Sequence, residues 1–128
     1  MQSFFKERIT QIVNGVCSAN MTKGSLKYLP GYIPLVNSPE KVRFAGDVIK
    51  SVFGEDKWSD SAIPTAGAED FSFYLDKRPG AFYRLGLGTG YPSLHNSCFD
   101  FNDAVVTGGI VSMCAIALSS LGVKLSDF

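Results

Sequence analysis

The chain has 128 residues, 45% of them hydrophobic, with 12 Lys plus Arg balanced by 12 Asp plus Glu, one histidine and three cysteines. That length suits one ordinary globular unit, and evenly scattered charges offer no basic face to nucleic acid or to an anionic membrane surface. Cys17, Cys98 and Cys114 are odd in number, far apart and without a C-x-x-C pair, so neither a disulfide scaffold nor a zinc ribbon is expected, and a reducing, cytoplasmic setting is.

From Gln2 to Ala19, Phe5, Ile9, Ile12, Val13 and Val16 recur at helical spacing and predict a helix with one apolar face. The opening residues, Met1 to Arg8, hold no apolar run long enough for a signal peptide. Asn20 to Gly24 break the helical pattern, Ser25 to Leu29 alternate as in a strand, and Pro30-Gly31 and Pro34 interrupt that alternation. Ser38-Pro39-Glu40 then sets a capping hydroxyl, a first-turn proline and a first-turn acid at the head of a second helix, which Gly54 closes. Its apolar face is Val42, Ala45, Ile49, Val52 and Phe53.

A polar loop around Asp56 to Asp60 leads to Ala66-Gly67-Ala68-Glu69-Asp70-Phe71 and a short helical pattern that ends before Pro79-Gly80. Ala81 to Leu87 is aromatic and predicts a strand, and Gly88-Thr89-Gly90-Tyr91-Pro92 predicts a loop running to His95. Asn102 and Asp103 supply caps for a last helix. No charge falls between Ala104 and Val123, close to the length of a membrane span, yet the glycines, serines and threonine in that stretch dilute it and no aromatic belt flanks it. A buried core helix is the expected reading, with no membrane insertion.

Chemistry-bearing residues are few. His95 could bind zinc or shuttle protons, but one histidine cannot supply the three or four ligands of a metal site, so by itself it reads as a structural or solvated loop residue. Cys98, three residues on, reads as a small thiol, a metal ligand or a nucleophile beside an imidazole. Glu69 and Asp70 either cap the short helix or present a carboxylate to a pocket at the Gly67 turn. The glycines at 86, 88 and 90 are turn residues; Tyr91 stands where a phosphate-binding loop would need its third glycine.

Four ordered stretches carry a resemblance: Gly67 to Leu75, Arg78 to Phe82, Leu85 to Gly88, and Leu94-His95 with Phe99 to Asp103. Together they resemble the C-terminal end of the zinc amidohydrolases, the metallopeptidase family of aminoacylase, hippurate hydrolase, N-acyl-amino-acid amidohydrolases, carboxypeptidases and plant auxin-conjugate hydrolases. The resemblance implies an α/β fold, or α+β as a fragment. Residues 1–36 would end the lid or dimerisation domain, and residues 37–128 would form the C-terminal part of the catalytic domain.

It further implies hydrolysis of the amide bond of N-acyl amino acids or small peptides with a divalent metal, zinc before cobalt or manganese. His95 would be a metal ligand, Asp100 and Asn102 would orient its loop, and Gly67 and Glu69 would line the substrate pocket. A homodimer through the lid is the implied assembly. The general base and remaining ligands of the family have no counterpart here, so no residue of this chain is assigned as catalytic, and the chain reads as a C-terminal fragment. The alternative reading is a non-catalytic, shortened paralogue or interaction module that pairs with a full-length subunit.

Overall fold

The computed structural model describes residues 1–61 and 64–123, which form two units, Met1–Ile33 and the chain from Pro34 onward. In the first unit, α1 (Gln2–Ala19) follows the predicted helix, and its polar face is tied within one turn by the Thr10 hydroxyl donating to the Lys6 carbonyl at 2.7 Å and by Arg8 to Gln11 at 2.9 Å. The helix ends where Met21 turns into the left-handed region (φ 52°) and the Thr22 amide donates back to the Cys17 carbonyl. None of its residues is buried; Phe5 and Ile12 on the apolar stripe stay 51% and 62% exposed.

In the second unit, α2 (Pro39–Phe53) begins at Ser38, whose carbonyl accepts from the Val42 amide at 2.9 Å. The Ser38 hydroxyl makes no capping bond, so the expected cap acts through its extended backbone and Pro39 alone. Gly54 stops the helix at φ 103°, a conformation that costs a residue without a Cβ little. A single 3-10 turn, Glu55–Lys57, delivers Trp58 across α2, and Gly46 makes room for it. The short α3 (Ser72–Lys77) follows, and a 3-10 turn at Asp103–Val105 runs into α4 (Val106–Ser120).

The core lies where α2 packs on α4: Ala45, Val48 and Ile49 from α2 and Ala115 from α4 are its buried apolar residues. On α4 only Ser112 and Ala115 are buried, whereas Ile110 and Met113 are 59% and 61% exposed. The expected buried core helix is therefore only partly covered by the described residues, because α2 and the segment 81–87 are too little surface to sheathe a helix that is apolar nearly all round. Asp103–Ser120 is long and apolar enough to cross a membrane by those two measures alone. Its Ser112 and Ser120 hydroxyls donate to the Gly109 and Ala117 carbonyls one turn back.

The α/β reading is overturned: among the described residues there is no strand, and the architecture is helical. The same holds for the α+β version. Segments 25–29 and 81–87, both expected as strands, pair with no backbone among the described residues. A strand exists only as one side of a ladder, and side-chain alternation cannot supply the other side. In 81–87 two asparagine side chains take the place of that ladder: the Asn37 Nδ2 donates to the Phe82 carbonyl while the Phe82 amide donates to Asn37 Oδ1, both at 2.8 Å, and Asn102 Nδ2 donates to the Leu87 carbonyl at 3.0 Å.

Candidate functional site

The segment 82–87 is the spine on which the candidate residues hang. Its near end is fixed by the Asn37 pair and by the Ser38 amide donating to the Gly80 carbonyl at 2.9 Å. Its middle lies on α4: the Tyr83 hydroxyl lies 3.0 Å from Ser112 Oγ and 3.1 Å from Met113 Sδ and shares its one proton between them, the Ser112 proton going to the Gly109 carbonyl, and Leu85 rests over Gly109, where a Cβ would stand 3.2 Å from Leu85 Cδ2. Trp58 stands beside Tyr83, with ring centroids 6.4 Å apart.

The stretch carrying Gly67 and Glu69 is tied to this spine from one side. The Phe71 ring lies 5.7 Å from that of Phe82 and stacks on Tyr74 at 5.5 Å, and Arg84 Nη2 donates to Thr65 Oγ1 at 3.4 Å. Glu69 is half-buried and its Oε1 accepts from the Phe71 amide at 3.2 Å, so its carboxylate is engaged with the turn that opens α3. Gly67 is exposed and has open space around its α-carbon; a Cβ there would have Thr65 Oγ1, 3.9 Å away, as its nearest neighbour. Buried Ser72, at the start of α3, has a hydroxyl with no hydrogen-bond partner among the described residues.

From the far end of the spine, Gly88 (φ 91°) and Gly90 (φ 87°) turn the chain into the His95 loop with backbone angles that suit glycine. His95 is exposed and itself adopts φ 67°, uncommon for a residue with a side chain. It sits inside a tight turn: the Asn96 amide donates to the Ser93 carbonyl, the Cys98 amide to Asn96 Oδ1 at 2.8 Å, and the Phe99 amide to the Asn96 carbonyl at 2.9 Å. The loop is closed by Asn102, whose Nδ2 holds Leu87 while its Oδ1 accepts from the Ala104 amide at 3.1 Å and caps the turn into α4.

Of the expected site residues only Asn102 touches this segment; the stretch with Gly67 and Glu69 reaches it through Thr65 and Phe71, and His95 through the loop that leaves Leu87. Asp100 is exposed and its side chain makes no hydrogen bond among the described residues. Cys98 is exposed, with the Ser97 hydroxyl 3.9 Å from its sulfur, and no hydrogen bond joins it to His95. Among the described residues no three His, Cys, Asp or Glu side chains gather where they could share a metal ion. The described residues by themselves do not fit a metal centre; His95 offers one imidazole. Sequence reasoning did not give Asn37 its clamp on Phe82, since nothing in the string 36–39 marks a contact 45 residues away.

The sequence pattern of peptidase family M20/M25/M40 matches residues 7–119. A Synechocystis protein designated a hydrolase is 31% identical over 110 residues, 82% of this chain and 28% of its own length. An Arabidopsis thaliana protein named as an IAA-amino acid hydrolase is 30% identical over 132 residues, 98% of this chain and 29% of its own. A Rhodococcus jostii protein named as a glutamate–cysteine ligase is 37% identical over 94 residues, but those are 12% of its length, so its name describes mostly polypeptide with no counterpart here. No solved structure matches the chain. The chain spans less than a third of the length of these relatives. With the family pattern running from α1 to the last turn of α4, the chain belongs to peptidase family M20/M25/M40.

Proposed function

We propose that the chain serves a metal-dependent amidohydrolase that cleaves the amide bond of N-acyl amino acids or small peptides, as the C-terminal portion of the working enzyme. The family match over residues 7–119 carries this reading, supported by the relative named as an IAA-amino acid hydrolase. Residues 1–36 serve as the end of a lid or dimerisation domain and residues 37–128 as part of the catalytic domain. The enzyme is a cytoplasmic homodimer joined through that lid.

In this reading His95 donates one imidazole to a divalent ion, zinc in the first instance, whose other ligands and general base come from polypeptide outside these 128 residues. Its exposure and its placement in a tight, closed turn suit that role, because an imidazole that must meet ligands from elsewhere has to stand clear of its own unit. Gly67 leaves a wall open to substrate beside the half-buried Glu69, and Asp100 and Asn102 support the His95 loop. The test is His95→Ala in the longest natural product that contains this sequence, with bound metal measured by elemental analysis and hydrolysis measured on an N-acyl amino acid. Loss of metal and of activity is expected; full metal content with full activity would remove His95 from the site.

A second reading, an interaction module that pairs with a full-length subunit, draws on the uncovered apolar residues of α4. Ile110, Val111, Cys114 and Leu118 line an open groove of about 460 Å³ with Ser51 and Val52 of α2. Affinity capture on the tagged chain separates the two: a full-length family member recovered in fixed ratio with a product of this length favours pairing.

A further inference from the structure

Two asparagines 65 positions apart in the sequence act on one short stretch of backbone, and that stretch leads directly to the histidine loop. Asn37 meets Phe82 as a peptide group on a neighbouring strand would, giving one hydrogen bond and taking one, both at 2.8 Å. Asn102 holds Leu87, the last residue before the glycine turn, and at the same time caps the turn that starts α4. Between these anchors the Tyr83 hydroxyl on Ser112 and Leu85 over Gly109 press the stretch against α4.

We propose that Asn37 and Asn102 are positioning residues for His95, acting through the backbone of residues 82–87. A segment with no strand beside it leaves its amides and carbonyls to water and its course undetermined, yet here the carbonyls at both ends and the Phe82 amide are held by side-chain amides fixed elsewhere in the unit. The loop 88–101 departs from Leu87 and returns at Asn102, and the Asn102 bond pins both ends together. With its two ends closed and a second anchor at Phe82, the loop hangs from a fixed base, and the His95 turn keeps one orientation. Asn37 thereby influences a residue 58 positions away without touching it.

The importance of this arrangement for catalysis rests on the proposed role of His95; the mechanical link does not, and the test reads the link alone. Asn102→Asp retains the oxygen that caps Ala104 and favours a helix N-terminus, but removes the donor to Leu87. Asn37→Asp likewise keeps the acceptor for the Phe82 amide and removes the donor to its carbonyl. Amide hydrogen exchange of the full chain is followed at Asn96, Cys98 and Phe99, the hydrogen-bonded amides around His95, and along α2 and α4. The ring resonance of His95, the only histidine, is recorded beside it.

Each variant is expected to speed exchange at those three amides by about tenfold, the factor that one lost hydrogen bond of about 1.4 kcal/mol corresponds to. The His95 resonance moves toward its unfolded position while α2 and α4 keep their protection. Wild-type exchange at Asn96, Cys98 and Phe99 in both variants would overturn the proposal, and so would acceleration of α2 and α4 by the same factor, which marks general destabilisation. A His95→Ala variant that keeps its metal would sink the metal reading and leave this link standing.

Discussion

Replacing Gly46 by alanine sets two effects of opposite sign against each other, and the structure decides which wins. Alanine is the better helix former by about 1 kcal/mol, so an open site in α2 would gain from the change. At this position, however, the new methyl would stand 2.9 Å from Trp58 Nε1, 3.0 Å from Cε2 and 3.3 Å from Cδ1, inside the roughly 3.5–4.0 Å separation at which carbon atoms attract. The indole is not free to swing away. It is half-buried and backed by Tyr83, whose hydroxyl is held at Ser112.

Overpacking of this kind costs about 1–3 kcal/mol, which exceeds the helical gain and leaves a net loss of order 1 kcal/mol. That is a fall of about 4 °C in melting temperature for a unit of this size. Thermal unfolding read by circular dichroism measures the loss, and the emission maximum of Trp58, the chain's single tryptophan, reports the indole's displacement toward water. Gly108→Ala in α4 is the matched control: nothing lies within 4 Å of its methyl position, so it gains stability and leaves the emission unchanged. A Gly46→Ala protein that melts at or above the wild type with unshifted emission would refute the packing argument.

Other changes test other links. Tyr83→Phe removes the hydroxyl that meets Ser112 and Met113, but Ser112 keeps its bond to the Gly109 carbonyl, so a loss of about 1 kcal/mol is expected, and a double-mutant cycle with Ser112→Ala shows whether the pair is coupled. His95→Gly is expected to be more stable than His95→Ala by about 1 kcal/mol, because alanine retains the cost of the left-handed backbone that glycine relieves; equal melting temperatures would count against strain at φ 67°. The Lys57 ammonium hydrogen-bonds the Asp56 carboxylate at 2.6 Å and, with its charge, holds that carboxyl below its usual 3.8. A carboxyl lowered in the folded state stabilises above its unfolded value and loses that contribution as pH falls through the folded one. Lys57→Ala therefore raises the Asp56 titration toward 3.8, read by carbon NMR, whereas the melting temperature at neutral pH barely moves, since both groups are exposed and adjacent and salt screens the pair.

How much of this protein its sequence determines follows from how far apart the interacting residues lie. Helices satisfy their backbone within four residues, so apolar spacing, Ser38-Pro39, Gly54 and the Asn102 cap were enough to place α1, α2 and the start of α4. The ordered motifs from Gly67 to Asp103 were enough to indicate the family that the match over residues 7–119 establishes. Strands obey another rule. The alternation at 25–29 and the aromatic run at 81–87 describe side chains suited to a pleated surface, but a partner backbone is a non-local condition, and none is met among the described residues.

Tertiary structure alone turned 81–87 into a spine, through an asparagine 45 residues before Phe82 and another 15 residues after Leu87. It also decided that, among the described residues, only α2 and that spine cover α4, although its composition would suit burial all round. Composition fixes what a surface would prefer to touch; which surfaces are within reach depends on the path of the whole chain.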